Sequence, residues 1–169
     1  MPVVVALVVL VHVMGGGAGG EPPAQVEGST AAPREDLPVL TVPVPAATPK
    51  ADKVCPGLMS DLPLELAGDP SRRVASDTPY AYAWGDPPTV LICGVERPKG
   101  FTTSSGLIQI NGVQWYVYTS RPDVTVWTAV DRPVYVEVQV PASSDSAGVT
   151  ELTVPIAANL DQQDPRPAG

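Results

Sequence analysis

Between Leu107 and Tyr118 the chain reads LIQINGVQWYVY, two alternating runs separated by Asn111-Gly112. An Asn-Gly pair suits a two-residue type I′ turn, whose central residues both need positive φ. That turn sets the register, with Ile110 facing Val113 and Ile108 facing Trp115. Ile108, Ile110, Val113, Trp115 and Val117 then share one side. Gln109, Gln114, Tyr116 and Tyr118 take the other, joined by Leu107. A slip of one residue would turn the apolar set outward, so the pairing is well determined. PVYVEVQVP, residues 133–141, alternates more strictly, with four valines on one face and Tyr135, Glu137 and Gln139 on the other. Pro133 and Pro141 bracket it, as proline does at strand ends. Val124 to Ala129 is its expected partner strand, with Val130 to Arg132 as the turn.

The stretch YAYAWGDPPTVLICGVERPKG, residues 80–100, yields two more strands, Tyr80 to Trp84 and Thr89 to Cys93. GDPP joins them, since Gly and Asp supply turn chemistry and two prolines forbid further pairing. Two segments have helical rather than strand spacing. Leu58, Leu62 and Leu66 recur every fourth residue and predict a short helix ending near Gly68, interrupted around Pro63. Val149, Leu152, Ile156 and Leu160 predict a C-terminal helix that contains Pro155. The fold class is therefore α+β: an antiparallel sheet of about six strands built from hairpins, with an N-terminal and a C-terminal helix on one face.

The ends of the chain follow different patterns. Pro2 to Met14 is apolar except for His12 and runs into the small residues Gly15 to Gly20. Residues 1–20 are read as a signal peptide or a membrane anchor. No Lys or Arg precedes the apolar run, so loop charge gives no orientation, and a translation start further upstream is expected. Residues 21–52 are rich in proline, which lacks an N–H and fixes φ, and are read as an extended linker. The α+β domain is assigned to residues 53–160, and residues 161–169 to a disordered tail.

Composition then narrows the chemistry. Formal net charge is −8, with the acids dispersed along the chain. Nucleic-acid binding needs clustered Lys and Arg and is not expected. Contact with a membrane is expected only through the N-terminal segment. Cys55 and Cys93 are the only two cysteines. In an exported chain an even count favours a disulfide; buried thiols and half of a zinc site are the alternatives. The sole histidine, His12, lies in the leader, so the domain has no Ser-His-Asp or Cys-His catalysis and no His-ligated metal. No catalytic residue, metal or cofactor is assigned. Carboxylate chemistry is the remaining enzymatic option, with Asp86 and Glu96 as the pair a closed hairpin could bring together. Arg72, Arg73, Tyr82, Trp84 and Asp86 are candidate partner contacts. Each has a plainer role: the arginines in structural pairs with Asp86 or Asp69, and Tyr82 and Trp84 in core packing.

The segments CPGLMSDLPLELAG, RR, AYAWGDPPTVLICGVERP, GVQW and RPVYVEVQVP resemble the domain of unknown function 3515 family, small exported proteins of high-GC Gram-positive bacteria. The likeness runs from about Cys55 to Pro141 and is most specific at WGDPP and the following CG. It implies a cell-envelope location and a structural role for both cysteines, and brings no activity or cofactor. The expected function is a non-catalytic binding module tethered outside the plasma membrane, contacting another envelope protein or a wall component. The alternative is a small carboxylate-based hydrolase acting on wall glycan.

Overall fold

The computed structural model describes residues 35–169, so the leader and the first part of the proline-rich segment lie outside the described residues. Ten strands and two helices follow in the described chain: β1 (Leu40–Thr41), α1 (Pro49–Ser60), β2 (Glu65–Leu66), β3 (Asp69–Arg72), β4 (Val74–Ala75), β5 (Ala81–Trp84), β6 (Thr89–Val95), β7 (Ile108–Ile110), β8 (Val113–Arg121), β9 (Val124–Ala129), β10 (Tyr135–Pro141) and α2 (Ala147–Asn159). Eight strands form one antiparallel sheet in the order β2-β3-β5-β6-β10-β9-β8-β7. Two hairpin-connected halves meet where β6 pairs with β10. Sequence patterning foresaw about six of these strands; the others come from β2 and β3.

The pairing of β7 with β8 is the one the Asn-Gly turn predicts, with Ile108 opposite Trp115 and Ile110 opposite Val113. Register then carries one apolar row across the sheet: Val138 lies opposite both Leu91 and Trp127, and Val136 opposite both Cys93 and Ala129. Both helices cover this face. Ala51, Cys55 and Leu58 of α1 and Val149, Leu152 and Ile156 of α2 are buried against it, with Trp84 and Trp115 fully enclosed. The C-terminal helix matches its predicted stripe.

The first helix does not. It begins in what was read as linker and stops before Leu62, and Leu66 belongs to β2. The start signal is Thr48-Pro49: the Thr48 hydroxyl accepts from Ala51 N at 3.2 Å, and proline is pre-shaped for the first helical turn. Gly68 does take positive φ, but after Ala67, also at positive φ, as the turn of the β2–β3 hairpin rather than as a helix cap.

The opposite face of the sheet, called the back face here, is covered by segments with little regular structure. Leu40, Val42 and Val44 alternate along an extended strap and pack on Ala81, Ala83, Val90 and Ile92. β1 within that strap pairs in parallel with β4. The proline-rich segment is thus part of the fold from about Leu40 onward, because its alternate residues are aliphatic and the prolines fall between them. The tail is likewise held: Gln163 N donates to Asp131 O, Ala168 N to Phe101 O, and the Tyr135 hydroxyl to Arg166 O. Residues 161–169 were expected to be disordered; backbone hydrogen bonds and the Arg166 guanidinium over the Tyr135 ring correct that.

Candidate functional site

The back face carries an apolar groove of about 540 Å³. Its floor is built by strand alternation. Val90, Gln139 and Val124 project to the back face because their neighbours Leu91, Val138 and Thr125 face the helices. One side wall is the strap, Leu40 to Pro43; the other is the β8–β9 turn, with Arg121 and Asp123. Pro87, Pro88 and Pro141 to Ser143 complete the lining; the pairing of Gln139 with Val90 sets these two segments side by side at one end of the sheet. At the rim Arg121 Nε lies 4.0 Å from Asp123 Oδ1, and the Asp123 side chain is 79 % exposed. On the floor Gln139 Nε2 donates to Glu137 Oε1 at 2.8 Å. Beyond the groove, Tyr118 and Tyr116 stack with ring centres 5.6 Å apart. Burial and the nearby Glu137 carboxylate raise the Tyr118 phenol above the usual tyrosine range.

The residues singled out from sequence fall mostly elsewhere. Trp84 is buried in the helix-side core with its Nε1 donating to Pro63 O at 2.8 Å, so it offers no ring to a partner. Tyr82 is half-buried beside it, ring centres 4.8 Å apart. Arg72 is buried and structural: its guanidinium donates to Gly85 O at 3.0 Å and Pro38 O at 3.1 Å, and lies 3.5 Å from Asp86. It therefore fastens the strap to the β5–β6 turn and holds one wall of the groove. Arg73 and Asp86 are exposed. Asp86 and Glu96 flank β6 at opposite ends, separated by roughly 20 Å or more at the rise of a strand, which removes them as a carboxylate pair. Cys55 and Cys93 are joined in a disulfide between α1 and β6.

Sequence reasoning missed two things here. The groove depends on the strap folding back, signalled only by the alternation of Leu40, Val42 and Val44. The other omission is a buried ion pair in the β9–β10 turn. Asp131 Oδ2 lies 3.0 Å from Arg132 Nη1, and Arg132 also donates to Gly112 O. Burial pushes the Asp131 carboxyl above the ordinary range even though Arg132 pulls the other way. Its position beneath the tail, away from the groove, marks it as a fastening.

An antiparallel sheet thus carries two helices on one face and a strapped groove on the other. The chain matches the family described as protein of unknown function (DUF3515) over residues 3–165, and it belongs to that family. No curated protein and no solved structure matches it.

Proposed function

We propose that this protein is a non-catalytic binding module of the cell envelope, tethered outside the plasma membrane by its N-terminal segment, and that the back-face groove receives its partner. The observation that carries the reading is the lining of the groove: aliphatic residues and four prolines, with polar groups confined mainly to the rim and the single amide of Gln139. Such a surface suits recognition, in which an apolar body supplies affinity and a few polar groups fix orientation. Asp123 is its one carboxyl group, whereas glycoside hydrolysis commonly needs two across the scissile bond. The Cys55–Cys93 disulfide favours an oxidising compartment.

Two measurements test the reading. Intact cells treated with a membrane-impermeant amine reagent should label the protein at exposed Lys50, Lys53 or Lys99; labelling only after lysis overturns the location. Crosslinking in intact cells should capture a partner that Val124→Glu loses at unchanged protein level. Capture that survives this substitution overturns the groove as the site.

A further inference from the structure

We infer that the groove receives an extended, uncharged aliphatic peptide of a partner protein, added as a strand along the free edge of β1. This rests on the binding-module reading above and names the class of partner. Leu40 N donates to Arg73 O at 3.0 Å and Val42 N to Ala75 O at 2.9 Å. Successive residues of a strand turn their N–H and C=O to opposite sides, so those of Thr41 point away from β4. That side is where the groove opens, and Thr41 lines it. Pro43 follows without an N–H, so the edge offers one donor–acceptor pair and then stops.

The strap shows what such an occupant looks like. It is itself an extended peptide whose alternate aliphatic side chains sit on the back face of β5 and β6. A neighbouring strand about 4.8 Å further across would lie beyond Val90, which the strap already covers, over Gln139 and Val124. The commitment of Gln139 Nε2 to Glu137 leaves its amide oxygen as the acceptor of that floor. Arg121 and Asp123 oppose each other at the rim, so the mouth carries no net charge and favours an uncharged segment. Prolines on the walls keep the groove formed before binding, which lowers the ordering cost of association. Main-chain hydrogen bonding with side-chain pockets is the usual logic of strand addition.

The test uses the full chain and the probe acetyl-Val-Thr-Val-Thr-Val-amide, followed by NMR. Binding should shift the Thr41 amide and the Val90 and Val124 methyl signals and slow exchange of the Thr41 amide. N-methylation of the probe residue facing Thr41 should weaken binding about 2- to 10-fold, the range for one net hydrogen bond. N-methylation of the next residue should leave it unchanged. Thr41→Pro should reproduce the loss with the Trp115 signals unmoved. Equal affinity of all three peptides overturns strand addition. Tighter binding of decanoate than of the peptide overturns the peptide as occupant and assigns the groove to acyl chains. If no peptide binds but Val124→Glu still abolishes capture in cells, this inference falls and the binding module stands. If both fail, both fall.

Discussion

Gly94 passes so close beneath Ala51 that a β-carbon at position 94 would lie 2.8 Å from Ala51 Cβ. The same glycine has φ of +91° and occupies the point where the β6–β10 register shifts, Val95 facing Tyr135 and Cys93 facing Val136. It is the extra residue of a β-bulge, and the bulge lets α1 settle onto the sheet. Gly94→Ala should therefore destabilise the protein by about 2–4 kcal/mol, from the left-handed backbone and the backbone-mounted clash together. Urea unfolding checks this through the midpoint at constant slope. Gly106→Ala, with open space around it, should be close to neutral. Equal midpoints for the two variants would remove the packing argument.

The bridge between Cys55 and Cys93 spans the same helix–strand contact and closes 38 residues. In the chain-entropy treatment a loop of this size restricts the unfolded state by about 4 kcal/mol. The double variant Cys55→Ala, Cys93→Ala is expected to lose stability of that order. The wild-type protein, unfolded without reductant, should give no free thiol. Two titratable sulfhydryls would mean that the contact is held by packing alone.

Arg72 and Asp86 differ in worth although they face each other at 3.5 Å, because their side chains are 5 % and 61 % exposed. An exposed carboxylate adds little to such a pair. The guanidinium instead satisfies Gly85 O and Pro38 O inside the fold. Arg72→Ala should cost about 2–4 kcal/mol by orphaning two carbonyls, while Asp86→Ala should change stability by less than about 1 kcal/mol. Limited proteolysis adds a local readout. Cleavage between Leu37 and Val44 should accelerate in Arg72→Ala, since Pro38 is where the strap is fastened.

How far the sequence carries the fold depends on whether a segment's pattern is local. Val134 to Val140 alternates strictly, and Asn111-Gly112 fixes a register by itself, so both hairpin geometry and sheet face could be read directly. Leu58, Leu62 and Leu66 show the opposite case. Their four-residue spacing imitates a helix, yet Ala67 and Gly68 at positive φ turn Leu66 back into a hairpin, and only the tertiary pairing of β3 with β5 decides between the two. The candidate site was the least accessible part. Its floor joins Val90, Gln139 and Val124, brought together by the long-range pairing of β10 with β6 and β9. Its wall comes from a proline-rich strap whose composition suggests a solvated linker. Trp84 drew attention as an aromatic beside a charged turn, but the hydrogen bond to Pro63 O allows the indole to be wholly enclosed.

The Tyr80 hydroxyl donates to Asp52 Oδ1 at 2.8 Å and ties the first turn of α1 to the start of β5. That hydrogen bond, then burial, then the nearby negative charge raise the phenol above its ordinary value of 10.0. Below that value the phenol is protonated in both folded and unfolded chains, so the bond contributes in full. As pH climbs past 10 the unfolded phenol ionises first, and the contribution drains away until the folded phenol ionises too. The Tyr80 contribution to stability should thus fall with rising pH through this alkaline window. Tyr80→Phe should be less stable than the parent at neutral pH and should show a shallower alkaline decline, with the two curves converging at the alkaline end. Denaturant midpoints measured across the alkaline range on both proteins decide it. Parallel curves would mean that the phenol ionises at the same pH folded and unfolded, and that the link between Tyr80 and Asp52 does not hold in solution.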